Sequence, residues 1–161
     1  MLYALISHYW SGGAITYVAM VKLIRNRFDG QGYVTDIDYG VPVKDIVKRG
    51  HYKKVSPGIN SKNFPTKKGK KDRIVAKIIE IRSRPVFEDI NFEIESACLR
   101  KEGYEFVGLR ELLAVLEQHK NIRALRPIFA LGSKIDIRSE LLIPGVHLHP
   151  VLGKSIELVE A

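Results

Sequence analysis

His147 and His149 stand two residues apart on an extended stretch, so both imidazoles project from the same side of a strand. Neutral imidazoles at that spacing can supply two ligands to a divalent ion, and a site needs at least a third. His8, His51, His119, Glu140 and Glu157 are the candidate donors, and sequence does not say which of them the fold brings near. Two histidines bracketed by Pro144 and Pro150 also make an ordinary polar strand edge. Asp36 and Asp38 share one side of a strand in the same way. Paired carboxylates can hold magnesium for phosphodiester hydrolysis; the alternative is a solvent-facing strand surface. Glu80-Ile81-Arg82 imitates the carboxylate–lysine pattern of restriction-type nucleases only loosely, with arginine where lysine is needed. Cys98 falls on an apolar helical stripe, which predicts a small buried core residue rather than a reactive thiolate. No glycine run has the spacing of a phosphate-binding loop.

Charge speaks more clearly than any of these. The chain has 161 residues and a net charge of +8. Between Lys44 and Arg84 there are 14 basic residues against Asp45, Asp72 and Glu80, a net +11, which leaves the remainder with 12 basic and 15 acidic residues, a net −3. A concentrated cationic segment suits a polyanion, because each phosphate neutralised releases counterions. It also suits a solvated surface that keeps a protein dispersed. Within the segment Lys48, Arg49, Lys53, Lys54, Lys62, Lys67, Lys68, Lys70, Lys71 and Arg73 are the candidate phosphate contacts. Tyr52 and Phe64 interleave with them. Their rings either stack on unpaired bases or brace the loop against the sheet.

Elements to position these groups follow from periodicity and punctuation. Residues 1–21 contain no Lys, Arg, Asp or Glu. Met1–Trp10 is apolar but lacks the basic flank of a signal peptide, and polar residues interrupt it before it reaches membrane-spanning length. Residues 1–19 are expected as an extension or edge strand, with Met20 as an alternative start, and 20–161 as a single α+β domain. Alternation of Ile15, Tyr17, Ala19, Val21 and Leu23 favours a strand, although a helix also fits. The turn at Asp29-Gly30-Gln31-Gly32 predicts a hairpin between Leu23–Phe28 and Tyr33–Tyr39. A short helix is expected over 43–49, ended by Gly50, then a loop over 56–72. Arg73–Arg82 reads as a strand apolar on both faces. Helices follow over 87–102, with Phe87, Ile90, Ile94, Ala97 and Cys98 in one stripe, and over 109–120, with Leu109, Leu112, Leu113 and Leu116. Short strands at 128–131, 140–143, 146–149 and 155–159 are separated by Gly132, Pro144-Gly145, Pro150 and Gly153. The result is a largely antiparallel sheet with two main helices on one face and a C-terminal β-meander.

The stretches Asp38-Tyr39, Ile46, Gly50-His51-Tyr52 and Ile59–Pro65, with Leu109-Arg110-Glu111-Leu112-Leu113 and Ala130-Leu131-Gly132-Ser133, resemble an uncharacterised bacterial protein family over about residues 20–160. The resemblance implies one intact domain and no particular activity. The expectation is therefore a soluble, cytoplasmic, non-catalytic protein without cofactor or membrane partner, binding RNA or other single strands without sequence preference. Two other classes stand beside it. One is a protein–protein or self-assembly module using the basic loop and an acidic helix face (Glu88, Asp89, Glu93, Glu95, Glu102). The other is a metal-dependent phosphodiesterase using Asp36 and Asp38 or His147 and His149.

Overall fold

The alternating run after residue 14 is a strand, β1 (Ile15–Leu23), in a computed structural model that describes residues 15–24, 30–83 and 92–160. The elements continue as β2 (Tyr33–Asp38), α1 (Val43–Gly50), β3 (Lys54–Val55), β4 (Lys71–Ser83), α2 (Phe92–Glu102), β5 (Tyr104–Phe106) and α3 (Leu109–Gln118). Then come β6 (Ile128–Phe129), β7 (Ile135–Ile137), β8 (Glu140–His149) and β9 (Gly153–Glu160). This is an α+β domain built on one mixed, mostly antiparallel sheet in the order β2-β4-β1-β6-β8-β9-β3, with β5 joining β1 and β7 joining β8. Among the described residues only β1–β6 and β3–β9 pair in parallel. Met1–Trp10, most of the expected 23–28 strand, and Phe87 and Ile90 of the expected helix lie outside the described residues. Among the described residues no helix is long and apolar enough to cross a membrane.

β1 occupies the interior of the sheet because both its faces are apolar. Val18 and Met20 face one core and Ala19 the other. Met20 pairs with Ile78 near the middle of the ladder to β4, so the boundary expected at residue 19 falls inside a strand. Residues 25–28 of the hairpin arm expected before Gly30–Gly32 lie outside the described residues, and the described partner of β2 is β4. β4 lies between β1 and β2, and β2 pairs with it from Tyr33↔Ala76 to Asp38↔Lys71. A 13-residue strand, apolar on both sides, pairs with both neighbours at once.

The main core lies on the face of Met20, Ile74 and Ala76, covered by Leu109, Leu112, Leu113 and Leu116 of α3 and by Val43 and Ile46 of α1. α2 lies elsewhere. Its Glu95, Cys98 and Leu99 line a cavity with Val21, Lys77, Ile79 and Ile81, which belong to the opposite face of β1 and β4. The two long helices therefore flank different faces of these strands rather than sharing one. Cys98, expected in the core, is exposed, because it lines this open cavity instead of packing into the sheet.

Two glycines act through space rather than through turn geometry. The expected stop at Gly50 is displaced by one residue. Gly50 is the last helical residue, and His51 takes the left-handed conformation (φ 55, ψ 44). Any Cβ at 50 would strike the Tyr52 ring, so the glycine is needed for that ring. Pro144-Gly145 likewise does not divide two strands. β8 runs through it, pairing Pro144 with Leu158 and Gly145 with Glu157. On its other side β8 changes partner there, from β7 at residues 140–142 to β6 at 145–146. The Pro144 carbonyl accepts from the Ala130 amide at 3.0 Å, and the missing N–H falls in the gap between partners. A Cβ at 145 would lie 2.9 Å from the Phe129 ring, which crosses the strand at that point.

β2 ends the sheet, and α3 and the residue after it occupy its outward backbone groups at the Val34 carbonyl and at Asp36. Gln118 pairs with Asp36 as a neighbouring strand would: its Nε2 donates to the Asp36 carbonyl at 2.7 Å and its Oε1 accepts from the Asp36 amide at 3.1 Å. His119 Nε2 donates to the Val34 carbonyl at 2.9 Å. Such an occupied edge cannot template strand addition. Gln118→Ala is expected to cost about 1 kcal/mol in urea denaturation and to make the protein self-associate with rising concentration in analytical ultracentrifugation. A variant that stays monomeric would show that the amide does not guard the edge.

Candidate functional site

Two charged residues interrupt the leucine pattern of α3 at its start. Arg110 and Glu111 are 8% and 6% exposed, and they organise the surroundings of a pocket of about 520 Å³ at this end of the helix. Glu111 Oε2 accepts the Gly108 amide at 2.9 Å, closing the helix N-terminus on itself. Gly108 has no side chain to return the favour, and Ser133 of a distant loop does so, its Oγ accepting the Leu109 amide at 2.8 Å. Glu111 Oε1 takes Lys22 Nζ at 2.7 Å and the Tyr39 hydroxyl at 2.5 Å. Lys22 also reaches Glu105 at 3.2 Å. Arg110 donates to the carbonyls of Val41, Phe64 and Pro65, tying the approach to α1 and the end of the long loop to α3.

Burial alone would push Lys22 below its ordinary value, but the Glu111 hydrogen bond and charge, with those of Glu105, outweigh it and hold the ammonium above 10.5. Burial and then the same Glu111 bond raise Tyr39 well above 10.0. Arg110 is lowered by burial.

The lysine run sits beside this network. Tyr39 accepts the Lys67 amide at 2.8 Å and donates its own to Lys70 at 2.9 Å, and a tight turn with Gly69 at φ 73 closes between them. Lys67, Lys68, Lys70 and Lys71 are all exposed. Lys70 Nζ lies 4.6 Å above the Tyr39 ring. Lys67 and Lys70 line the pocket together with Arg100 of α2 and Lys134 of the β6–β7 loop. Arg100 and Lys134 lie outside the basic segment. The basic segment pointed to Lys67 and Lys70, whereas no sequence pattern singled out Arg100, Lys134 or the buried Arg110-Glu111 pair.

The other expected site residues are dispersed. Arg73 bonds Asp36 at 2.7 and 3.3 Å, and Lys71 stands 3.9 Å from Asp38, so both aspartates face cross-strand cations. The Arg73 bond, only slightly opposed by burial, holds the Asp36 carboxyl below its usual range. Arg49 pairs with Glu117 at 3.0 Å and Lys54 with Glu157 at 3.4 Å. Lys48, Lys53 and Lys62 are exposed on α1 and the surrounding loops. Phe64 is 8% exposed and Tyr52 packs against the main core, so both rings brace the loop. His147 and His149 part company. His149 Nδ1 accepts the Val151 and Leu152 amides at 3.1 and 2.9 Å, capping the β8–β9 turn. His147 Nε2 faces Glu157 at 3.6 Å, and burial keeps its imidazole below its ordinary value against the pull of that carboxylate. Among the described residues no group of three His, Cys, Asp or Glu is placed to hold a metal.

Replacing Glu111 with Ala is expected to cost about 2–3 kcal/mol, because Lys22 keeps only Glu105, whereas Tyr39→Phe removes one bond and costs about 1 kcal/mol. Urea melts of the two variants measure the difference, and equal losses would contradict it. Lys22 and Tyr39 both hold their protons more tightly folded than unfolded. Their contribution is complete below about pH 10 and is lost as pH rises through the folded values. Stability followed from about pH 8 to about pH 11 should fall at the alkaline end, and Glu111→Ala should flatten that fall. In comparisons with known proteins, the chain matches no family model, no curated protein and no solved structure.

Proposed function

We propose that the protein binds single-stranded nucleic acid, RNA foremost, through its phosphates and without reading sequence. One observation carries this: Lys67 and Lys70 from the turn, Arg100 from α2 and Lys134 from the β6–β7 loop line a single pocket. Cations gathered from separate stretches onto one open surface act together on a polyanion, whereas a scattered set does not. The acids in the same wall, Glu105 and Glu111, are already matched by Lys22 and Tyr39. Tyr52 and Phe64 being packed inward, affinity comes from phosphate contacts rather than from bases stacked on those rings, which favours binding without sequence preference. Tyr39, Asn63–Pro65, Arg110-Glu111 and Leu131–Ser133 complete the wall of this pocket.

Labelled single-stranded RNA titrated at two salt concentrations tests the proposal. Binding should weaken steeply as salt rises, with a slope of about −0.7 per phosphate neutralised. Changing Lys67, Lys68, Lys70 and Lys71 together to Ser should reduce affinity at least about tenfold at low salt and leave the melting temperature nearly unchanged. No binding at low salt, or binding indifferent to salt, would overturn the proposal.

A further inference from the structure

α1 and α3 lie side by side and point the same way. The Val41 carbonyl, just before α1, is held by Arg110 at the start of α3, and Arg49 in the last turn of α1 is held by Glu117 near the end of α3. α1 buries Val43 and Ile46 and leaves Lys44, Lys48 and Arg49 exposed, with Asp45 as its exposed acid. The lysine turn abuts one end of this helix: a Cβ on Gly40 would lie 3.8 Å from the Lys68 backbone.

At the other end is a second cationic cluster. Arg49, His51, Lys120 and Lys154 line a cavity of about 640 Å³, whose acid, Glu117, is paired to Arg49. Lys154 Nζ stands 4.9 Å over the Tyr52 ring, and the stem of Lys53 lies against Gly153 beside it. Burial and then the charge of Lys120 lower Lys154, with Glu117 opposing, so two ammonium groups repel each other here. An anion between them would relieve that repulsion. Lys120 and Lys154 lie outside the basic segment of the sequence and reach it only through the fold.

We infer that a bound single strand runs along α1, from the lysine turn and its pocket at one end of α3 to the Arg49, Lys120 and Lys154 cluster at the other. The inference rests on the proposed single-strand binding and adds its course and length. Ten helical residues span about 15 Å, so at about 3.4 Å per stacked nucleotide a strand needs more than about four nucleotides to touch both clusters. A flexible strand can follow such a track over the exposed lysines of α1, whereas duplex DNA is stiff over about 150 base pairs.

The test compares a labelled oligouridylate of about twelve nucleotides with one of about three, on the wild type, on Lys120→Ser/Lys154→Ser and on the Ser variant of the lysine turn. Loss of two phosphate contacts should flatten the log–log salt slope for the longer strand by about 1.4 and weaken it about tenfold or more at low salt, while the short strand, held at the turn, is unaffected. Lys154→Arg, which keeps the charge over Tyr52, should bind like the wild type and guards against a packing effect. If the Lys120/Lys154 variant keeps the wild-type slope while the turn variant loses affinity, the track is overturned and the proposed function stands. If the wild type binds neither strand, both fall.

Discussion

The buried carboxylate of Glu111 is the contact on which the surrounding architecture depends. A charge 6% exposed survives only where several donors meet it. Here a backbone amide of its own helix, an ammonium from the central strand and a phenol from the segment after β2 all do so. One side chain thereby fixes the start of α3, its height above β1 and the path of the chain at Tyr39. Tyr39 in turn holds the lysine turn by two backbone bonds. Arg110, the adjacent residue, anchors the other side of the same loop. The exposed lysine turn is thus supported from beneath by the buried Lys22–Glu111 ion pair.

This support changes what a lysine-rich loop is. Without it, Lys67–Lys71 would be an extended cationic segment whose charges adopt many arrangements, and ordering them on a ligand would cost entropy. Braced by Phe64 and Tyr52 and pinned by Arg110, the turn presents its cations in one place. The two aromatic rings contribute by being buried. The cross-strand pairs Asp36–Arg73 and Asp38–Lys71 are exposed and contribute little to stability, but the closer of them matches Arg73 to a carboxylate within its own sheet.

Most of the fold could be read from residue patterns where periodicity or a breaker acts locally. Strand β4, the leucine face of α3 and the α+β composition follow from one-dimensional rules. The failures have physical causes. Pro144-Gly145 looked like a break because a proline lacks a donor, but a strand that changes partner at that residue has no bond there to lose. Cys98 looked buried because it belongs to an apolar stripe, but on α2 it lines an open cavity and stays exposed. Gly50 looked like a helix stop, but it is there to make room for a ring.

The basic segment and its net charge of +11 were determined by composition, since charge does not depend on folding. Which cations act together was decided only by tertiary structure. Lys67 and Lys70 join Arg100 and Lys134 because α2 and the β6–β7 loop close on the same pocket, and Arg49 joins Lys120 and Lys154 because α1 lies along α3. Charges interact through space at a few ångströms, and sequence separation carries no information about that distance.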